Sequence, residues 1–390
     1  MDFSYTPAEE RFRSELHRWL EDHPPGPEPV ELDAWVAYGK AWQRQLYEAG
    51  WCGVHWPAAY GGRGASLTEQ IIFQEEMARA RTPQLINLAG LTMGGPVLIA
   101  HGSEVQKRRH LQAILSADEI WCQGFSEPNA GSDLAALKTR AVLDGDAFVV
   151  NGQKVWTSFA RFADWCMLLV RTDPEAPKHK GISFLLVDMH SPGVTVRPLK
   201  QISGDEDFNE VFFEDVRVPR ENLIGAVNGG WDIAITTLMH ERQTLTFSRQ
   251  LQSRVALSEL LALARQYPPH APAARQPLLR QKLAAACVDS MVIKYTALRN
   301  LTTVLRGGTP GPEGSIEKLF WSEMYQRMLE TAVELEGPHG QLVNGSPHVV
   351  DAGRWPHLML YSRGRTIAAG SSEIQRNIIA ERVLGLPRAR

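Results

Sequence analysis

The sequence is short of cysteine, of net charge and of long hydrophobic runs, and each shortage excludes a class of protein. Its 390 residues include four cysteines, Cys52, Cys122, Cys166 and Cys287. None of them forms a C-x-x-C spacing, so we expect reduced packing residues, with neither a disulfide framework nor a metal site. The net charge of −3 argues against a surface for nucleic acid or anionic lipid.

No apolar stretch approaches the roughly 18 residues that a transmembrane helix requires. Residues 1–10 are polar and acidic, unlike a secretory leader. We therefore expect a cytoplasmic protein without a membrane span. A hydrophobic fraction of 44% and a charged fraction of 22% are typical of a globular protein, and the length indicates two or three domains.

The spacing of apolar residues changes twice along the chain. It is helical at first, with capping-box pairs at Ser66/Glu69 and Ser103/Gln106. From about residue 119 the apolar residues recur at every second position, which is typical of strands. Asp144-Gly145 and Asn151-Gly152 have the composition of hairpin turns in this region. From Gly230 it is helical again, with long apolar stripes that suit a bundle.

These changes predict an α+β fold of three parts. We expect an N-terminal helical domain (1–118), a middle β-barrel or sandwich domain (119–228) and a C-terminal four-helix bundle (229–390).

A polar turn of unusual composition lies at the start of the β region, in the segment GFSEPNAGSD (124–133). Pro128, Asn129 and Gly131 together exclude a helix or a central strand, so the segment is predicted to be a loop. Such a loop either presents N–H groups and hydroxyls to an anion such as a pyrophosphate, or is simply a polar surface turn.

The order of these residues resembles the acyl-CoA dehydrogenases. In that family a Thr/Ser-Glu-Pro-x-Ala-Gly-Ser-Asp loop is followed by Asn-Gly-x-Lys-x-Trp and a hydroxyl residue, here NGQKVWTS (151–158). Two further segments resemble the family's C-terminal part, namely NGGWDIAITTLMHER (228–242) and GSSEIQRNIIAERVLG (370–385). The resemblance covers nearly the whole chain.

The resemblance implies FAD, which supplies the two-electron acceptor that no side chain provides. The resemblance implies that Ser126, Trp156 and Ser158 contact the flavin and that Ser132 contacts the pyrophosphate. It adds Ser371 and Glu373 at a helix start, although many relatives differ at Glu373. Gly337 and Gly340 belong to a turn that in the family reaches the neighbouring subunit's FAD; Pro338 and His339 depart from many relatives there, and an Arg-x-x-Phe-Gly element is missing from 265–277.

Removal of the α-proton of a thioester also requires a base. In many family members it is a carboxylate at the position of Ala369, which cannot act. In another branch, with isovaleryl-CoA and long-chain dehydrogenases, the base precedes an Arg on the long helix, so the resemblance assigns this role to Glu241. Ser132 and Arg242 are expected to contact substrate. The alternative for Glu241-Arg242 is an exposed pair on a solvated helix face.

We therefore expect an FAD-dependent dehydrogenase that converts an acyl-CoA to a 2,3-enoyl-CoA, passes electrons to an electron-transferring flavoprotein and forms a homotetramer. Two alternatives stay open. One is a non-catalytic or half-active subunit of a hetero-oligomer, motivated by Ala369 and the altered turn. The other is a flavin oxidase or monooxygenase on the same fold.

Overall fold

The computed structural model describes residues 5–29, 31–266, 276–306 and 311–388, without the side chains of residues 240–249 and 304. Two segments rich in proline or glycine, at 267–277 and 307–314, are expected from the sequence to interrupt the C-terminal helices, and most of each lies outside the described residues. The chain forms two compact units. The first comprises Met1–Lys200 and Glu206–Arg242, and the second comprises Gln201–Asp205 and Gln243–Arg390.

In its described residues the first unit begins with five α-helices, and side-chain caps fix where several of them begin. Ser66 and Glu69 form the predicted capping box, as do Ser103 and Gln106. A third box at Thr6 begins the first helix. The helices are α1 (Pro7–Asp22), α2 (Leu32–Glu48), α3 (Leu67–Arg79), α4 (Gly95–His101) and α5 (Glu104–Ser116).

Eight strands follow and form one hydrogen-bonded sheet. Its order is β6-β7-β3-β2-β4-β5-β8, and β1 pairs in parallel with β4. The strands are β1 (Trp121–Gly124), β2 (Arg140–Asp144), β3 (Ala147–Ser158), β4 (Trp165–Arg171), β5 (Ile182–Asp188), β6 (Val194–Leu199), β7 (Phe208–Pro219) and β8 (Leu223–Ile224).

One predicted hairpin turn is wrong. Asp144-Gly145 does connect β2 to β3, but Asn151-Gly152 lies inside β3 at an irregularity in its pairing with β7. Asn151 is satisfied there by Asp215, whose backbone N–H donates to the Asn151 amide oxygen at 3.0 Å. A Cβ on residue 152 would lie 2.6 Å from Thr139 Oγ1, so glycine is needed for a close approach and not for a turn.

Strand β4 is buried on both faces because alternate residues enter different cores. Trp165, Met167 and Leu169 pack with the N-terminal helices, whereas Cys166 and Leu168 pack with β3 and β7. The N-terminal helices and the sheet therefore share one hydrophobic core. The four cysteines are free thiols in the structure.

The helices of the C-terminal part are long. Helix α6 (Gly230–Gln266) is followed by α7 (Pro277–Leu305), α8 (Gly314–Glu336), α9 (Arg354–Tyr361) and α10 (Ser372–Ile378). The apolar stripe predicted on α7, including Leu283 and Ile293, is buried against α6 and α8 within the same unit. Among the described helices, none has an apolar segment that would span a bilayer.

The predicted order of helical region, β-sheet region and helical region is confirmed, and the α+β fold with it. The residue bounds of the three domains remain predictions.

Candidate functional site

The segment after β1 is a loop, as predicted, and the Glu127 carboxylate organises it. Backbone bonds between Glu127 and Ala130 close the loop on itself. The carboxylate then accepts the N–H groups of Lys138 at 2.7 Å and Thr139 at 2.8 Å. One side chain thus ties the loop to the chain that follows it.

A buried lysine holds this carboxylate from the sheet. Lys154 on β3 is completely buried, and its Nζ donates to Glu127 Oε1 at 2.9 Å and to Phe125 O at 3.0 Å. Burial alone would raise the pKa of Glu127, but the Lys154 ammonium and the N–H donors outweigh it and hold that pKa below its ordinary value. Burial lowers the pKa of Lys154, which the carboxylate partly offsets.

Sequence reasoning missed this pair, although both residues lie inside the two motifs it used. The sequence shows both charges but not that they are buried, and it is burial that requires them to pair.

The loop meets β3 where the predicted flavin residues lie. Val155 N–H donates to Ser126 O at 2.9 Å, which sets Ser126 beside Trp156. Trp156 has a φ of 60° at a pairing irregularity, and its indole is 60% exposed, 5.9 Å from the Phe208 ring. Ser158 follows on the same exposed face.

This surface fits the flat ring of a flavin. A large indole is left uncovered next to two hydroxyls. An exposed aromatic face flanked by hydroxyls is what a planar, polar ring would cover. Ser132 lies exposed at the far end of the same loop.

The second unit contains the predicted helix start. Ser371 caps α10 by accepting the Ile374 N–H at 3.3 Å, so its hydroxyl has a structural role, and its role toward FAD stays a prediction. Glu373 is exposed, and backbone and Ser371 hydrogen bonds lower its pKa. The turn before it is held by Lys318 on α8, whose buried Nζ donates to Gly370 O at 2.6 Å. Sequence reasoning missed Lys318.

The turn of Gly337 and Gly340 follows α8 directly. Gly337 has a φ of 58°, and a Cβ on residue 340 would lie 2.8 Å from Val333 O. Glu336 beside them is buried, and its Oε1 has no hydrogen-bond partner among the described residues. Burial, with a smaller effect of the Asp351 carboxylate, raises the pKa of Glu336 to about 7.

The structure separates the two predicted groups of the second unit. Lys318 contacts the turn before Ser371, whereas Gly337 ends the same helix. At 1.5 Å per residue, the helical rise from Lys318 to Gly337 is about 28 Å. The two groups of one chain therefore do not contact the same part of one ligand.

Glu241 and Arg242 lie on α6, but their side chains are outside the described residues. Just before them the helix exposes apolar side chains, with Ile235 at 40% and Met239 at 47% exposure.

Comparison with known proteins covers all three parts of the chain. The family models for the acyl-CoA dehydrogenase N-terminal, middle and C-terminal domains match residues 6–118, 122–216 and 228–384. The acyl-CoA dehydrogenase IpdE1 of Mycobacterium tuberculosis (strain ATCC 25618 / H37Rv) is 40% identical over 97% of this chain and 98% of its own.

Solved structures agree with these matches. The Tcur3481-Tcur3483 steroid ACAD has a TM-score of 0.87 and 32% identity over 100% of both chains. The ChsE4-ChsE5 complex from Mycobacterium tuberculosis gives the same TM-score, identity and coverage. The chain belongs to the acyl-CoA dehydrogenase family and is an oxidoreductase.

Proposed function

We propose that the protein uses FAD to oxidise an acyl-CoA thioester to the 2,3-enoyl-CoA, and that an electron-transferring flavoprotein reoxidises it. The observation that carries this is the exposed Trp156 face with Ser126 and Ser158, set by the Glu127–Lys154 pair. Bound there, FAD would supply the two-electron acceptor. Ser132, at the end of the same loop, would hold the pyrophosphate and border the substrate.

Two further groups are proposed from the family resemblance. Ser371 and Glu373 start a helix that would face the flavin's phosphate chain, whereas Gly337 and Gly340 would reach the FAD of a neighbouring subunit. The roughly 28 Å between these groups along α8 supports a site shared between chains. We infer an oligomer on this ground and propose a homotetramer.

Glu241 is proposed as the base that takes the α-proton, and Arg242 as a substrate contact. Residue 369 is an alanine, so the other family position holds no carboxylate. The exposed Ile235 and Met239 on the preceding turns of α6 offer an apolar wall. Since the steroid ACAD is 32% identical over the full chain, we propose a bulky acyl group such as a steroid side chain.

The test is cofactor uptake followed by product analysis. We expect the purified chain to be yellow, or to take up one FAD per chain on reconstitution, and to release an enoyl-CoA when an acceptor is supplied. A chain that stays colourless after reconstitution contradicts the proposal.

A second candidate is a subunit that completes a site only with a different partner chain. Two observations favour it. Residue 369 is an alanine and not a carboxylate, and the ChsE4-ChsE5 and Tcur3481-Tcur3483 structures are each named for two different proteins. The apolar stripe of α7 is used inside the unit, but another face of α7 exposes Val288, Met291 and Tyr295. Light scattering of the chain alone separates the candidates: an FAD-loaded tetramer supports the first, and an inactive dimer or monomer supports the second.

A further inference from the structure

Glu336, the last residue of α8, is a carboxyl group that the fold buries without a counter-charge in the described part of the chain. Its exposed fraction is 3%, and its Oε1 has no hydrogen-bond partner among the described residues. Burial of an ionised carboxylate without a partner is costly. The end of a helix also disfavours negative charge, because the helix dipole is negative there. The position therefore favours the neutral, protonated carboxyl.

The basic groups on the elements around the end of α8 do not offset this preference. Four of them pair with other carboxylates, namely Lys282 on α7 with Glu334, Arg354 on α9 with Glu259, His357 on α9 with Asp205, and Arg363 after α9 with Glu330. Three others have different surroundings: Arg280 on α7 is exposed, Arg365 lies over the Tyr361 ring, and a ring nitrogen of His339 bonds His348 O.

The charged group that does act on Glu336 has the same sign. Among the described residues it is the Asp351 carboxylate, which opposes ionisation of a second carboxyl nearby. Burial and this smaller effect together raise the pKa of Glu336 to about 7. The buried carboxyl thus changes its charge within the range of near-neutral pH.

Glu336 packs against a turn whose backbone has little freedom, the segment Gly337–Gln341. Gly337 has a φ of 58° and a ψ of −130°, a combination that favours glycine. A Cβ on residue 340 would lie 3.5 Å from Glu336 Oε2 and 2.8 Å from Val333 O. Because the carboxyl lies directly against the turn, it cannot move out to water without moving the turn.

We propose that Glu336 is a proton-controlled switch for this turn. With its proton, the carboxyl stays buried and the turn keeps the shape described. When the proton passes to water, the carboxylate moves out to solvent and the turn opens. Since Gly337 and Gly340 are proposed to reach the FAD of a neighbouring subunit, the switch makes FAD retention depend on pH. That consequence rests on the proposed function, whereas the switch itself does not.

Thermal melting at pH 5 and pH 8 tests the link between proton and fold. A pKa raised above the ordinary 4.5 stabilises the fold fully below pH 4.5, and this contribution is lost as the pH rises to about 7. Glu336→Gln stays neutral throughout, so its melting temperature should rise relative to wild type from pH 5 to pH 8. Glu334→Gln removes an exposed carboxylate two residues earlier and should differ from wild type equally at both pH values. No growth of the difference for Glu336→Gln, or equal growth for Glu334→Gln, would overturn the inference.

Hydrogen exchange of the peptide 335–342 follows the turn itself. The Gly337 N–H donates to Glu334 O and the Leu342 N–H donates to His339 O, so both amides report opening. After correction for the intrinsic effect of pH on exchange, protection in wild type should fall about tenfold from pH 6 to pH 8, because the closed fraction falls from about nine-tenths to one-tenth. Protection in Glu336→Gln should change less than about twofold. Equal protection of wild type at both pH values would show that the turn does not open.

Flavin fluorescence measures the consequence for the cofactor. Wild type should bind FAD about tenfold more weakly at pH 8 than at pH 6, for the same reason, and Glu336→Gln should bind it equally at both. A wild type whose FAD affinity is unchanged would overturn the link between the turn and FAD. A chain that binds no FAD at either pH contradicts the proposed function, whereas melting and hydrogen exchange still decide the switch.

Discussion

Glu127 and Lys154 carry opposite charges in a region from which water is nearly excluded, and this fixes the acid behaviour of the flavin loop. The pKa of Glu127 is lowered in the folded chain. Its carboxylate therefore stabilises the fold above the ordinary pKa of 4.5, and this contribution is lost as the pH falls through the lower folded value. Below that pH the Lys154 ammonium is buried without its partner.

Glu127→Gln leaves the same unpaired ammonium at neutral pH and should cost roughly 3–5 kcal/mol of unfolding free energy. The double variant Glu127→Gln/Lys154→Met should recover part of the loss, because no buried charge remains. Urea unfolding at pH 7 measures both. Between pH 5 and pH 3 wild type should lose more stability than the double variant. If the single variant is no less stable than the double one, the pair does not hold the loop.

Glu241 is the residue on which the chemistry of the proposal depends. For a positioned base, Glu241→Gln should retain FAD and slow its reduction by acyl-CoA about 100-fold or more. Stopped-flow absorbance measures the rate. Asp232→Asn is the matched control, since Asp232 is an exposed acid in the first turn of the same helix. Near-normal reduction in the Glu241 variant assigns the base to another residue.

At the scale of elements, Lys318 shows how a helix positions a turn far away in sequence. Its Nζ holds Gly370 O, and Gln375 Nε2 bonds the same carbonyl at 3.2 Å. Both bonds fix the backbone that precedes Ser371, where residue 369 has a φ of 54° and Gly370 of 88°. A looser turn would misplace the start of α10.

Lys318→Met should therefore weaken FAD binding about tenfold, because a charged hydrogen bond contributes roughly 1.5–3 kcal/mol. Flavin fluorescence gives the dissociation constant. Gln326→Leu is the control: it removes a bond from the same helix, to Ser362 O at 2.9 Å. Both variants should melt earlier than wild type, but FAD affinity should fall in the Lys318 variant alone. An equal fall of FAD affinity in both variants would mean that Lys318 contributes to stability and not to the FAD site.

The elements also show what the sequence could predict. The capping boxes at Ser66 and Ser103 could be predicted because both partners of each box lie three residues apart in the sequence. The turn predicted at Asn151-Gly152 was wrong because an Asn-Gly pair occurs both in hairpin turns and at irregularities inside a strand. The contacts that decide between these alternatives come from Asp215 and Thr139, which are distant in the sequence. The contact of Lys318 with Gly370 could not be predicted for the same reason, because the two residues are far apart in the sequence.

At the scale of the whole molecule, the order of helical, β and helical regions followed from the period of the apolar residues, and the family from motifs spread along the chain. The two segments that the resemblance assigned to the flavin lie side by side at Ser126 and Val155, while the roles of their residues stay predictions. The pairing that shapes the loop was not predicted, because buried charge is invisible until burial is known. The sharing of FAD between chains was already implied by the resemblance, and what the sequence did not show is that Lys318 ties the turn before Ser371 to the opposite end of α8 from Gly337.

The most direct measurement of the central claim is anaerobic mixing of the FAD-loaded chain, without any partner protein, with a panel of acyl-CoAs that includes a steroid side-chain thioester. We predict that at least one of them bleaches the flavin and that mass spectrometry finds one enoyl-CoA, two hydrogens lighter, per FAD reduced. A flavin that stays oxidised with every thioester, or a chain that carries no flavin to reduce, would contradict the account.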